Sequence, residues 1–212
     1  VRSRRQRQMC IRDRNYIMHI IAITGGIASG KSLVAKYLFD EYGAFVFDAD
    51  KEAKNILMKN EVSKKVLDSF PSIKSLTLKE ISEVVFKNKS NQKKLNDIIH
   101  PLVKIEIEKS IAIKKGKENI FIIDAALIIE SGMFEDLKNN GAIIVLIAAK
   151  DSIRARRALL RGGLTQKTIS DRMKLQMSDE EKKKYADFVI ENNSSKKSLF
   201  TKVDKFFKEN LG

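Results

Sequence analysis

Residues 25–32 read Gly-Gly-Ile-Ala-Ser-Gly-Lys-Ser and fit G-x-x-x-x-G-K-[ST]. They follow a short apolar run, His19 to Thr24. They open a segment, Lys31 to Glu41, in which Leu33, Val34, Tyr37 and Leu38 recur at helical spacing. A strand, a glycine-rich turn and a helix in that order restrict the chain to few folds. Glycine lets the turn close tightly enough to bring backbone N–H groups onto phosphate oxygens. The helix behind it aims its positive end at the same point. On this reading Gly26, Ile27, Ala28, Ser29 and Gly30 cradle nucleotide phosphates. Lys31 reaches the β- and γ-phosphates, and the Ser32 hydroxyl ligates Mg²⁺. The bland alternative is a strand–turn–helix with an incidental Lys-Ser pair.

The alternation continues along the chain. Gly43 closes the first helix. Ala44 to Phe47 is a second apolar run, ending in Asp48-Ala49-Asp50. From 51 to 115 the pattern is helical, with expected breaks near Pro71 and at His100-Pro101, and no strand pattern. Ile120 to Ile123 is a third strand, ended by Asp124, and Ala142 to Ala148 a fourth. Helices at about 151–161 and 165–176 flank Gly162-Gly163. Phe188 to Ile190 is a weak fifth strand, and Leu199 to Phe207 belongs to a last helix. Strands separated by helices imply right-handed crossovers and a parallel sheet covered on both faces. The expected fold is therefore α/β with three layers: a five-stranded parallel sheet, a helical insertion over 51–116 and a helical lid at about 151–177. The core is expected over 18–50 and 117–212.

Carboxylates fall where such a sheet places its ligands, beyond the carboxyl ends of the strands. Asp124 ends an apolar strand and is a candidate Mg²⁺ ligand, although many such residues merely end a strand. Asp48 and Asp50 follow the second strand. A kinase acting on a hydroxyl needs an acid there to orient it and take its proton. Either could instead cap a helix beginning near Lys51, a role that suits Asp50. His100 reads equally as a substrate contact or as a capping or core histidine.

Net charge is +14, and part of it sits in one segment. Residues 4–13 spell RRQRQMCIRD, which looks like the translation of a sequencing-library adapter read through into the gene. Residues 1–17 are therefore expected to be a foreign leader. They hold six Arg, one Asp and the single Cys, and +9 remains without them. The competing reading is a basic arm for RNA or acidic lipid. The other five arginines, Arg154, Arg156, Arg157, Arg161 and Arg172, crowd into 19 residues. Guanidinium is preferred where a planar fork must grip phosphate. Arg154, Arg157 and Arg161 fall on one helix face, and a Gly-Gly break before Arg172 suits a lid closing over phosphates.

One Cys excludes a disulfide framework and a multi-Cys zinc site, and two His leave little for a transition metal. The longest apolar run, Gly141 to Ala149, is nine residues, against about 20 for a membrane span. No secretory signal pattern is present. The reading is a cytoplasmic protein with small-molecule substrates, no nucleic-acid partner and no membrane association.

Taken in order, ITGGIASGKS (23–32), FDAD (47–50), HPLV (100–103), D-x-x-L-I-I-E (124–130), R-x-x-x-R (157–161) with Gln176 downstream, and ADFVIENN (186–193) resemble the dephospho-CoA kinase family. The resemblance covers Met18 to the C-terminus. It implies a P-loop NTPase fold of the nucleoside-monophosphate-kinase kind. It also implies ATP-dependent phosphorylation of the ribose 3′-hydroxyl of dephospho-CoA, the last step to coenzyme A, with Mg²⁺ as cofactor. In the family the second Asp of the D-A-D motif is regarded as the base, here Asp50, with Asp48 beside it. Arg157 and Arg161 match the lid arginines, and Asn192 falls in the motif expected at the nucleotide. The insertion and His100 belong to the coenzyme-A side.

Four positions depart from the pattern: Ala28 for Gly, Leu33 for Thr, Ala126 for Pro, and Gly162-Gly163 for a more polar pair. They touch lid stiffness and substrate affinity more than the reaction. Two other functions compete: a different small-molecule or nucleotide kinase of this fold, and a non-enzymatic basic module that binds RNA. The second leaves the phosphate loop unexplained, and the insertion lacks an aromatic stacking pattern.

Overall fold

The structure, a computed structural model, describes residues 18–75 and 77–211, so the expected leader over 1–17 lies outside the described residues. Five strands, β1 (His19–Thr24), β2 (Phe45–Asp48), β3 (Ile120–Asp124), β4 (Ile143–Ala148) and β5 (Phe188–Glu191), form one sheet. Its order is β2-β3-β1-β4-β5, and every pairing is parallel. Ile21 at the centre pairs with Ile122 on one side and Ile143 on the other.

Successive strand residues face opposite layers, and the sequence supplies apolar side chains for both. Ile21, Ile23, Ile122, Val145 and Ile147 point to the layer of α1 (Lys31–Tyr42) and α10 (Lys196–Asn210), where Val34, Leu38, Leu199, Val203 and Phe206 meet them. Ala22, Phe121, Ile123 and Ile144 point to the layer that carries α2 (Ala49–Leu57), α3 (Asn60–Ser69), α4 (Leu78–Val85) and α5 (Lys89–Lys114). Those four helices run from Ala49 to Lys114, where a helical segment was expected over 51–116. Their buried residues Ile56, Val66, Ile81 and Val103 are continuous with the sheet face.

Two expectations need correction here. The helix after β2 begins at Ala49 rather than near Lys51, with Asp48 as its cap. The break at His100-Pro101 does not occur, because α5 runs uninterrupted for 26 residues through Pro101. A proline inside a helix costs about 3 kcal/mol. Ile99, Val103 and Ile107 bury one face of α5, and each such side chain is worth about 1.5–3 kcal/mol, so packing outweighs the lost hydrogen bond.

The lid follows β4: α7 (Asp151–Arg161), Gly162-Gly163, then α8 (Gln166–Leu175). Two short helices lacked a clear sequence pattern, α6 (Met133–Asn139) and α9 (Asp179–Lys183). Among the described residues, no helix is long and apolar enough to cross a membrane.

Candidate active site

The turn between β1 and α1 is built from backbone. Gly30 takes φ +106 and caps α1 without a side chain, so the first amides of the helix are left as donors. Gly26 leaves room for Arg154: a Cβ there would force the guanidinium to shift. Ala28, where the sequence departs from glycine, sits at φ +57, a conformation that costs an alanine about 1 kcal/mol. Asn192, just past β5, supports the turn by donating to the Ser29 carbonyl at 2.7 Å.

Lys31 projects from the first turn of α1 between two carboxylates. Its Nζ lies 2.9 Å from Asp50 Oδ2 and 2.8 Å from Asp124 Oδ1. Burial pushes the ammonium pKa down, but the two acids together outweigh burial and raise it. Asp124 is buried at the end of β3, whereas the Asp50 side chain is 44% exposed. Asp50 Oδ1 also faces the Ala126 amide at 3.4 Å. The Ala126 carbonyl in turn accepts from Thr24 Oγ1 at 3.1 Å and Lys182 Nζ at 3.0 Å.

The two acids of the D-A-D motif have parted roles. Asp48 Oδ1 accepts from the Lys51 amide at 2.8 Å and caps α2. The capping role that suited Asp50 in the sequence belongs to its neighbour, and Asp50 is left facing the lysine.

A cavity of about 780 Å³ opens in front of this cluster. Residues 26–33 form one wall, with Asp48 and Asp50 beside them. Ile81, Val85, Ile99 and His100 form the insertion's wall, and Arg161, Arg172 and Gln176 come from the lid. His100 lies in the middle of α5, not at a cap, and burial lowers its pKa, which favours the neutral ring.

The three arginines expected on one helix face take three directions. Arg154 is 2% exposed and runs beneath the turn, donating Nε to the Ile27 carbonyl at 3.2 Å. Arg157 donates to Asn192 Oδ1 at 3.2 Å and lines a smaller cleft with Arg156, Leu160 and Asn193. Arg161 reaches the main cavity. On α8, Arg172 crosses to the insertion, donating to Ser82 Oγ at 2.8 Å over the Phe86 ring. A guanidinium on a long stem is not confined to the stripe its Cα occupies.

Sequence reasoning missed a buried pair. Lys182 is fully buried and binds Glu130 Oε1 at 2.8 Å, and Glu130 also accepts from the Met177 amide at 3.2 Å. Lys182 begins the run Lys182-Lys183-Lys184, which reads as a solvated face, so no local signal marked it. Gln176 was visible only as a motif position. Its Oε1 accepts from the Ile27 amide at 2.8 Å.

The family model for dephospho-CoA kinase matches residues 19–198, which span the turn, the insertion and the lid. The chain belongs to the dephospho-CoA kinase family. A dephospho-CoA kinase from Fusobacterium nucleatum is 38% identical over 192 residues, covering 88% of this chain and 96% of the relative. Among solved structures, TT1252 from Thermus thermophilus superposes with a TM-score of 0.74 at 28% identity, over 92% of this chain and 99% of that one. A dephospho-CoA kinase from Campylobacter jejuni gives 0.62 at 27% identity, over 92% and 100%. The parallel α/β sheet expected from the alternation and the P-loop kinase fold implied by the resemblance are thus the ones found, and the chain is a kinase of this family.

Proposed function

We propose that this dephospho-CoA kinase transfers the γ-phosphoryl group of ATP to the ribose 3′-hydroxyl of dephospho-CoA, with Asp50 as the acid that orients and deprotonates the acceptor. The carrying observation is the 2.9 Å contact between Asp50 Oδ2 and Lys31 Nζ, which puts the half-exposed carboxylate beside the lysine of the phosphate turn. The ribose 3′-oxygen forms a bond to the γ-phosphorus as the bond to the β,γ-bridging oxygen breaks. ADP leaves, and the hydroxyl proton passes to Asp50.

The other roles follow from position. The turn over Gly26–Ser32 and the start of α1 hold the triphosphate, and the Lys31 ammonium trades its carboxylate partners for phosphate oxygens. Asn192 acts through the Ser29 carbonyl it holds. Arg161 meets the transferring group from the lid, and Arg157 acts on the nucleotide side with Asn192. Asp48 and His100 line the acceptor side of the cavity. The insertion over 51–116 supplies that wall.

Ser32 opens α1 exposed on the cavity wall, and Asp124 ends β3 next to Lys31. Both are hard oxygen donors, and this small set fits a magnesium ion carried mainly by substrate phosphates. When bound, magnesium neutralises charge on the phosphates.

The reading is tested by coupled ADP release from a polypeptide beginning at Met18, offered dephospho-CoA, AMP, UMP and CMP in parallel. Turnover with dephospho-CoA alone is expected. A preference for a nucleoside monophosphate would make the chain a nucleotide kinase instead.

A further inference from the structure

Both backbone groups of one residue in the phosphate turn are held by the lid. The Ile27 carbonyl accepts from Arg154 Nε at 3.2 Å, and the Ile27 amide donates to Gln176 Oε1 at 2.8 Å. Arg154 lies near the start of α7, and Gln176 caps the end of α8. The two stems of the lid therefore converge on a single peptide segment. Between them the lid's underside is apolar: Ala158 and Ile169 are buried, and Ala155, Leu164 and Met173 join them against Ile27 and Ala28.

The two stems are not equivalent. Arg154 is pinned by further contacts to Asp151 at 3.2 Å and Asp179 at 3.3 Å, and Asp179 itself accepts from the Ala149 amide at 2.9 Å. The far stem meets the turn through the neutral carboxamide of Gln176. That side chain lies on the wall of the same cavity as Arg161. A neutral acceptor holds the amide without adding charge beside donors meant for an anion. A carboxylate there would keep the hydrogen bond but oppose the triphosphate.

We propose that Gln176 is a positioning residue for phosphoryl transfer: by holding the Ile27 amide it fixes the far stem of the lid to the phosphate turn, and so sets Arg161 in register with the phosphates. The inference rests on the kinase reading above. Misplacing a catalytic group by about 1 Å can cost on the order of a hundredfold in rate, so one such tether has a measurable share.

The test combines steady-state kinetics with hydrogen exchange at the Ile27 amide, in the wild type, Gln176→Ala and Gln176→Glu. Gln176→Ala is expected to keep the wild-type circular dichroism, to speed exchange at Ile27, and to lower kcat on the order of tenfold while KM for dephospho-CoA stays within about twofold. Gln176→Glu is expected to keep Ile27 protected, yet its KM for ATP should rise relative to wild type from about pH 4 to about pH 6 as the new carboxylate charges. A purely structural contact would not produce that pH dependence. Should Gln176→Ala fail to fold, Gln176→Glu carries the test, because it retains the acceptor. Unchanged kcat in Gln176→Ala despite fast exchange at Ile27 overturns the inference, as does a flat pH profile in Gln176→Glu. A wild-type enzyme that turns over no dephospho-CoA overturns the kinase reading instead, and the inference falls with it.

Discussion

Asp50 and Lys31 sit 2.9 Å apart although they come from different elements, the first turn of α2 and the first turn of α1. The contact exists because β2 and β1 both run parallel to β3, so the segments leaving their carboxyl ends emerge on the same edge of the sheet. Parallel topology thus brings an acid to the phosphate lysine without any local sequence signal linking the two.

Replacing Asp50 by Asn keeps the side chain's shape but removes the proton acceptor. Turnover of dephospho-CoA is expected to fall by a factor of about 10² to 10⁴. ATP affinity by titration calorimetry should be retained. A variant that still transfers at the wild-type rate would move the role to Asp48 or to water.

Lys31→Ala removes the phosphate contact and leaves Asp124 buried without its cation. Turnover is expected to fall on the order of a thousandfold. Urea denaturation should show a loss of about 3 kcal/mol, the scale for breaking a buried ion pair, which a fold of ordinary stability survives. Loss of turnover without loss of stability would mean that Asp124 finds another partner.

Arg157 and Arg161 are expected to separate in their kinetic effects. Arg157→Lys keeps the charge but cannot reproduce the planar contact with Asn192, so KM for ATP is expected to rise by about tenfold. Arg161→Lys should act mainly on kcat. Equal, small effects from both would return α7 to the role of a solvated helix.

The pair Lys182 and Glu130 tests how the lid base is anchored. Lys182→Met strands a buried carboxylate and is expected to cost about 3–5 kcal/mol in thermal or urea unfolding. The double variant Lys182→Met, Glu130→Gln should recover part of that loss. Additive losses would show that the two side chains do not act as a pair.

Tyr37 and Tyr42 both donate to Asp204 Oδ1 at 2.8 Å, tying α1 to α10. For Tyr37 the hydrogen bond to Asp204, and for Tyr42 burial first, push the phenol up to about 12. The folded value lies above the unfolded value near 10, so the neutral hydroxyls contribute fully below pH 10 and their contribution is lost between about pH 10 and 12. Stability in that window should fall in the wild type and fall less in the Tyr37→Phe, Tyr42→Phe double variant. Equal alkaline losses in both would assign the effect elsewhere.

The strand and helix order was readable because buried parallel strands are short apolar runs ended by Gly or Asp, and the phosphate turn has a strict spacing. His19–Thr24 and α7 coincide with their expected bounds. The break at Pro101 was misread because a local rule was applied where long-range packing decides. Asp48 and Asp50 could not be sorted from sequence, since a two-residue difference in where α2 starts decides which of them is the cap. The paths of Arg154, Arg157 and Arg161 were not legible either. Helical spacing fixes where a side chain leaves the backbone, not where a long, flexible one ends. Lys182 stayed hidden because burial of a lysine depends on a glutamate 52 positions away.

The wall proposed to face the acceptor is also the interior of the molecule. Ile81, Val85, Ile99 and Val103 line the cavity and at the same time belong to the apolar cluster joined to the sheet. Trimming any one of them to admit a bulkier acceptor would cost folding stability along with fit, by the same missing atoms. Substrate choice and thermal resilience are therefore not independent traits here. Redesign toward a new acceptor would have to begin from a stabilised parent.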